Sequence, residues 1–146
     1  MQRNASNGRG RQAVKLRKIV SGGQTGADQG ALSACVQAGF PYGGWIPKGR
    51  RTDKGKVPAR YRMRQHWSRH YPPRTEKNVA DSDGTVIFTY GKPDGGSLLT
   101  IEFAKQHGKP WLAVDATRPH AEIVARVVRW IRRRLPDGAV LNVAGS

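Results

Sequence analysis

The chain is 146 residues long, carries a formal net charge of +16 and contains one cysteine. This length suits a single domain with its own hydrophobic core, and one cysteine excludes an intramolecular disulfide and argues against a structural metal site. The sequence has no signal peptide and no apolar stretch long enough to cross a membrane, so we expect a cytoplasmic protein without a membrane partner.

The chain is expected to consist of two segments, a short tail and one domain. Residues 1–14 are mostly basic, glycine and polar residues, and we expect them to form a disordered tail. Residues 15–146 are expected to form one ligand-binding domain. The high positive charge does not identify a partner, since a solvated surface, an anionic small molecule and nucleic acid all suit it.

The first predicted unit is a strand at 17–21, a glycine-rich turn (Gly22, Gly23, Gln24, Thr25 and Gly26) and a helix at 26–38. Leu32, Cys35 and Val36 are predicted on the buried face of this helix. The N–H groups of its first turn have no partners within the helix and, with the helix dipole, favour an anion. The turn matches neither the dinucleotide fingerprint nor the P-loop, so a purely structural turn is an equal alternative.

The middle of the chain is less regular. Residues 41–46 read as a second strand that ends at Pro47, and a basic loop follows at 48–56. Pro72 and Pro73 are predicted to close the next segment, after which Thr75 caps a short helix that ends at residue 80. Residues 85–90 form a continuous β-branched and aromatic run, which is typical of a central parallel strand.

A second glycine-rich turn at 91–96 precedes a predicted helix at 97–107. A strand at 111–115, a helix at 120–135 and a strand at 139–143 complete the chain. The last helix has an apolar stripe that comprises Ile123, Val124, Val127, Val128, Ile131 and Leu135.

Five strands joined by helices or long connections predict an α/β fold, a three-layer Rossmann-like arrangement with a mainly parallel sheet and helices on both faces. Ligands of such sheets bind beyond the carboxyl ends of the strands. Both glycine-rich turns follow strands, so they are expected at the same edge. The sequence therefore predicts a site for a phosphate or another oxyanion there.

Five separated motifs carry a resemblance to a known family. They are SGGQTGAD at 21–28, GGWIPKGRR at 43–51, RTEKNVADSD at 74–83, GGSLLT at 95–100 and LNVAG at 141–145. Together they resemble the molybdenum cofactor carrier family, which belongs to a Rossmann-like superfamily shared with cytokinin-activating nucleotide phosphoribohydrolases.

The resemblance implies a carrier of the molybdenum cofactor (molybdopterin), a pterin with a terminal phosphate, and a molybdoenzyme as the acceptor. It also implies a set of binding residues. These are Gly22, Gly23, Gln24, Thr25 and Gly26 in the first loop, Gly95, Gly96, Ser97 and Thr100 in the second, Lys48 and Arg50 as basic groups that face the pocket, and Arg74, Thr75 and Asn78 closing it. Surface pairing or helix capping is the alternative for Arg74 and Asn78.

Alternative functions stay open at this point. Glu102 keeps the spacing of the glutamate in the phosphoribohydrolase signature, but Asp94 replaces the proline of that signature and Leu98-Leu99 its Gly-Thr pair. A nucleotide-binding protein or a nucleoside monophosphate phosphoribohydrolase, with Glu102 or Asp28 as the carboxylate, is therefore a second hypothesis. Nucleic-acid binding is a third and is not favoured, because few aromatic residues interleave the basic ones. We also expect a homo-oligomer, and no metal ligands are predicted.

Overall fold

The computed structural model describes residues 16–145, so the expected tail at 1–14 lies outside the described residues. The strands are β1 (Leu16–Ser21), β2 (Tyr42–Gly43), β3 (Trp45–Ile46), β4 (Arg51–Thr52), β5 (Gly55–Lys56), β6 (Arg64–Gln65), β7 (Gly84–Thr89), β8 (Trp111–Asp115) and β9 (Ala139–Gly145). The helices are α1 (Ala27–Ala38), α2 (Tyr71–Ala80), α3 (Gly95–Gln106) and α4 (His120–Arg134). No helix within 16–145 is long and apolar enough to span a membrane.

The main sheet has five parallel strands in the order β2-β1-β9-β7-β8. The chain leaves β1 through α1 toward one edge of the sheet, and it leaves β7 through α3 toward the other edge. Right-handed crossovers then place α1 and α4 on one face of the sheet and α2 and α3 on the opposite face. The predicted three-layer α/β fold is confirmed.

The core lies on both sides of the central strands. On one face Val86 of β7 and Leu141 of β9 pack against Ile131 of α4. The side chains of Val86 and Ile87 point to opposite faces and are 1% and 0% exposed. Burial on both faces explains why β7 reads as an unbroken apolar run, as the sequence predicted.

The predicted strand at 41–46 is wrong, because the chain changes sheet within it. β2 pairs with β1 in the main sheet, whereas β3 pairs with β6 in a separate two-stranded sheet. Gly44 separates them with a φ of 126°, and a Cβ there would collide with the carbonyl oxygen of Ser21. A side chain at this position is excluded by both the backbone angle and the close approach.

Three local predictions also need correction. α2 begins at Tyr71, so the two prolines occupy its first turn, where no N–H is needed for the helix, and Thr75 lies inside the helix. α3 begins at Gly95, two residues before the predicted start. Val36 is 48% exposed, because it lies about 100° around α1 from the buried Cys35. Val124 is 47% exposed although it lies on the same side of α4 as the buried Ile131, about two turns before it. Cys35 is buried, as expected.

Candidate functional site

A cavity of about 350 Å³ lies at the carboxyl ends of β1, β9 and β7. It is lined by Gly22, Gln24, Thr25, Asp28, Asp53, Tyr71, Pro72, Arg74, Thr75, Asn78, Asp94, Gly96, Ser97, Leu99, Thr100, Asn142, Ala144 and Gly145. The strands that lead into the two glycine-rich loops, β1 and β7, lie on either side of β9, about two strand spacings or roughly 10 Å apart. Their helices diverge to opposite faces here, which is the arrangement that opens a crevice in α/β sheets.

The two helices that follow the glycine-rich loops, α1 and α3, begin without a side-chain cap. Gly26 precedes α1 and Asp94 precedes α3, and neither makes a side-chain hydrogen bond to the first turn of its helix. The first N–H groups of a helix lack intrahelical partners and carry partial positive charge. The cavity is therefore bordered by two sets of backbone donors that suit an anion.

Internal hydrogen bonds fix the shape of the first loop. The Ser21 hydroxyl donates to the Asp28 carbonyl at 2.9 Å and accepts from the Gly23 N–H at 3.2 Å. The Gln24 N–H donates to Asp28 Oδ2 at 3.1 Å, and the Gln29 amide donates to the Gly23 carbonyl at 3.0 Å. These bonds hold the turn in one conformation, so its free N–H groups are oriented before any ligand arrives.

Asp28 and Arg74 form a buried pair of opposite charges in the cavity wall. Arg74 Nη1 lies 4.0 Å from Asp28 Oδ2, too far for a hydrogen bond. Asp28 Oδ1 and Arg74 Nε are buried, and neither has a hydrogen-bond partner among residues 16–145. The pair is thus electrostatically linked but incompletely satisfied, and buried polar atoms without a hydrogen-bond partner call for an explanation, of which a functional role is one.

Burial controls the titration of both groups. Loss of solvent raises the pKa of Asp28 to about 6, although Arg74 and the Gln24 N–H act in the opposite direction. Loss of solvent also lowers the pKa of Arg74, against the effect of Asp28. A carboxyl group with a pKa near neutrality, placed in a cavity, is characteristic of a functional site.

Gly22 makes room for the Arg74 guanidinium. A Cβ at this position would collide with Arg74 Nη1 and would lie 2.6 Å from Cζ. The guanidinium also lies 5.6 Å from the centre of the Tyr71 ring. A side chain at 22 would therefore displace the Arg74 guanidinium, which passes directly over the backbone there.

At the rim of the cavity, α2 contacts the hairpin formed by β4 and β5. The Tyr71 hydroxyl donates to Asp53 Oδ1 at 2.9 Å, and the Arg51 guanidinium lies 4.9 Å from the Tyr71 ring centre. Burial raises the pKa of Tyr71, and the hydrogen bond to Asp53 acts in the same direction. The lining as a whole contains three carboxylates (Asp28, Asp53 and Asp94) and one guanidinium.

The structure brings together nine of the residues suggested by the sequence. They are Gly22, Gln24, Thr25, Arg74, Thr75, Asn78, Gly96, Ser97 and Thr100. Gly23, Gly26 and Gly95 belong to the same loops but are not part of the lining; each adopts a positive φ, of 73°, 89° and 44°. Their part is to turn the backbone.

Lys48 and Arg50 lie outside the cavity, contrary to expectation. Lys48 is exposed and borders a separate depression. The Arg50 guanidinium donates to the carbonyl oxygens of Val57, Pro58 and Tyr61 at 3.2, 2.8 and 2.8 Å. An arginine whose donors are used in this way organises its own loop.

Two of the lining side chains also have structural partners. The Asn78 amide accepts from the Trp45 N–H at 2.7 Å and donates to the Trp45 carbonyl at 2.9 Å. The Thr100 hydroxyl donates to the Gly96 carbonyl at 2.9 Å. Asn78 thus holds β3 against α2, and Thr100 stabilises the start of α3.

Sequence reasoning missed several lining residues. Asp28 was named only as a candidate carboxylate of the hydrolase alternative, and Asn142 was not named. Both lie within the family motifs, which is the signal that could have placed them in the site. Tyr71 and Asp53 join the site only because α2 and the β4–β5 hairpin meet there. Glu102 is exposed on α3 and is not part of the lining.

Within residues 16–145, no three His, Cys, Asp or Glu side chains are grouped so as to hold a metal ion.

The strand order and the helices on both faces define a Rossmann-like α/β protein, and comparison with known proteins gives its family. Residues 19–146 match the circularly permutated YpsA SLOG family, and the chain belongs to this family. A crystal structure of a "putative molybdenum carrier protein" from Syntrophus aciditrophicus SB is similar over 94% of this chain and 87% of that chain, with 44% identity and a TM-score of 0.85. No curated protein matches. The resemblance to the molybdenum carrier family is confirmed.

Proposed function

We propose that this chain binds and carries the molybdenum cofactor in the cavity between α1 and α3. The observation that carries the proposal is the convergence of two uncapped helix N-termini and a buried arginine on one cavity. The similar structure from Syntrophus aciditrophicus supports it through its description as a molybdenum carrier.

The donor groups of the cavity fit a phosphate-bearing ligand. Backbone N–H groups at the starts of α1 and α3 would hold the phosphate, with hydroxyls from Thr25 and Ser97 beside them. Arg74 would supply a guanidinium to the anion. The lining carboxylates would accept from the amino and ring N–H groups of a pterin. We assign the cationic contact to Arg74, since Lys48 and Arg50 lie elsewhere.

Native mass spectrometry of gently purified protein, together with metal analysis, tests this proposal directly. We expect a bound pterin of matching mass and molybdenum close to one per binding site. A nucleotide in its place would refute the carrier function and support the nucleotide-binding alternative. Protein purified empty would be titrated with isolated cofactor, and failure to bind it would also refute the proposal.

Gly96→Asp locates the ligand. A Cβ at Gly96 meets no atom within 4 Å, so the domain should fold, while the new carboxylate repels an anion at the start of α3. Gly30→Asp is the matched control: it adds the same charge to α1 at an exposed position with equal space, outside the cavity. We expect cofactor binding to be lost in Gly96→Asp and retained in Gly30→Asp. Equal affinity in both variants would contradict the placement.

A hydrolase is the second candidate, and one observation favours it. Asp28 lies in the cavity with a pKa of about 6, which suits a carboxyl group that exchanges a proton near neutral pH. Release of free base from nucleoside monophosphates would demonstrate such an activity. Asp28→Asn should abolish it and Glu102→Ala should not, because Glu102 is exposed and outside the lining.

The carrier proposal also implies partners. We propose that a molybdoenzyme in the cytoplasm accepts the cofactor and that the chain forms a homo-oligomer. Light scattering after size-exclusion chromatography measures the second point, and a monomeric mass would refute it. Pull-down of a molybdoenzyme that depends on an intact Gly96 would support the first.

A further inference from the structure

Trp67 is the most exposed of the large hydrophobic side chains in the described part of the chain. It is 81% exposed, compared with 72% for Tyr90 and about half for Val36, Leu98 and Val124. It does not line the cavity. Tryptophan is usually largely buried, and an exposed indole is informative where it belongs to a larger patch of rings.

The exposed indole belongs to an ordered group of rings and cations, here called the Trp67 patch (Trp45, Arg64, His66, Trp67 and Lys77). The His66 ring lies 5.1 Å from the Trp67 ring with an angle of 37° between their planes, and it meets Trp45 at 6.1 Å. The Arg64 guanidinium lies 4.5 Å and Lys77 Nζ 5.5 Å from the Trp45 ring. The three rings therefore follow one another in the order Trp67, His66 and Trp45, and both cations lie beside Trp45.

The backbone holds this patch in place. β3 and β6 pair Trp45 with Arg64, and the His66 N–H donates to the Ile46 carbonyl at 2.7 Å. The Ser68 N–H donates to His66 Nδ1 at 3.0 Å, which orients the imidazole ring. A ligand would meet a surface that is already arranged, so little conformational entropy is lost on binding.

The surrounding charge selects the kind of partner. Residues 44–70 contain one acidic residue, Asp53, and a set of cations that comprises Lys48, Arg51, Lys54, Lys56, Arg60, Arg62, Arg64 and Arg69, besides Arg50, which is bonded within its own loop. Asp81 of α2 also borders the patch, where it accepts from the Trp45 indole N–H at 2.8 Å and lies 3.8 Å from Lys77 Nζ. A second copy of this chain would place like charges against each other across such an interface, which is unfavourable. A polyanion is complementary to the surface.

We propose that the Trp67 patch binds single-stranded nucleic acid. Bases stack on the exposed indole of Trp67, which the half-buried His66 ring supports, and Arg64 and the neighbouring cations meet the phosphates. Exposed aromatic rings on a basic surface favour this partner over an acidic protein segment, because unpaired bases offer flat faces for stacking. The proposal is independent of the cavity and of its ligand.

Fluorescence polarisation with labelled oligothymidylate tests the proposal in the full chain. Trp67→Ala should weaken binding by about tenfold or more, since stacking is the interaction that it removes. Tyr90→Ala is the matched control, because it removes an aromatic side chain of similar exposure outside the patch. Both side chains are exposed, so neither substitution disturbs the core.

Charge variants and a second ligand separate stacking from general attraction. Arg64→Gln should weaken oligothymidylate binding more than Arg132→Gln, an exposed residue of α4. Inorganic polyphosphate has charge but no bases, and its affinity should be unchanged by Trp67→Ala. Gly96→Asp should leave oligothymidylate binding intact, which distinguishes failure of this proposal from failure of the carrier proposal.

Three results would overturn the inference. One is equal binding by the Trp67 and Tyr90 variants. Another is loss of polyphosphate affinity in Trp67→Ala to the same degree as oligothymidylate affinity. The third is binding of polyglutamate with the same dependence on Trp67, which would assign the patch to an acidic protein segment.

Discussion

Asp28→Asn tests the electrostatic description of the cavity through the pH dependence of stability. Burial raises the pKa of Asp28 from its ordinary value of 3.8 to about 6 in the folded protein. A carboxyl group whose pKa is higher in the folded state binds its proton more tightly there. Its contribution to stability is therefore fully present below about pH 3.8 and is lost as the pH rises through about 6.

The size of this effect follows from the change in pKa. A rise of about 2 corresponds to about 3 kcal/mol of folding free energy between the two pH extremes. About 2 kcal/mol of it should be lost between about pH 4.5 and about pH 8. Asparagine has a similar shape but does not titrate, and the loss of charge beside Arg74 adds an offset that changes little with pH.

Urea denaturation of the wild type and of Asp28→Asn across this pH range measures the effect. The free energy of unfolding of the wild type should fall relative to the variant by about 2 kcal/mol as the pH rises. Glu102→Gln, which removes one exposed carboxylate from α3, reports the effect of a simple loss of surface charge. A difference between wild type and Asp28→Asn that is constant, or that changes in the opposite direction, would refute the reasoning.

Three further predictions concern the fold. Gly145→Ala should lower the free energy of unfolding by about 2 kcal/mol or more in chemical denaturation, since its Cβ would collide with the backbone of Phe88 at a φ of 141°. Gly108→Ala, where no atom lies within 4 Å, should cost about 1 kcal/mol, and equal losses would contradict this account. Leu32→Ala empties a fully buried position and should cost about 2–5 kcal/mol, seen as a lower Tm. Arg50→Ala removes three bonds to loop carbonyls and should raise hydrogen exchange in 57–61 without lowering cofactor affinity. Unchanged exchange would contradict this role.

The sequence predicted the repeated strand–turn–helix units well, because their signals are local. The run at 85–90, the glycine turn before α1 and the stripe of α4 each show their structure within a few residues. The start of α2 was wrong, because prolines at 72 and 73 read equally well as a stop and as a first helical turn. The strand at 41–46 was wrong for a different reason: only the close approach of Ser21 shows that Gly44 turns the chain out of the sheet.

The backbone loops of the candidate site were predicted from the sequence. Several side chains that only the packing of distant segments brings to the cavity were missed. The two glycine-rich loops follow strands that must end at one edge, so their meeting was predictable. The sequence of the basic loop did not indicate that the Arg50 guanidinium donates to the carbonyl oxygens of Pro58 and Tyr61. In the same way, Trp45 and Trp67 are far apart in sequence, and only the pairing of β3 with β6 brings their surroundings together.

By itself, then, the amino-acid sequence determined the α/β fold and the edge of the sheet at which the loops converge, because hydrophobic period and glycine-rich turns act over short stretches of chain. The family followed from the resemblance of five sequence motifs to those of known proteins. The tertiary structure decided which charged groups share the cavity: Asp28 comes from α1, Arg74 from α2 and Asp53 from the β4–β5 hairpin. The tertiary structure also decided that Asp28 has a pKa of about 6, since that value depends on burial and on the position of Arg74. Electrostatic effects of this kind act through space between residues that are distant in sequence, and no local pattern records them.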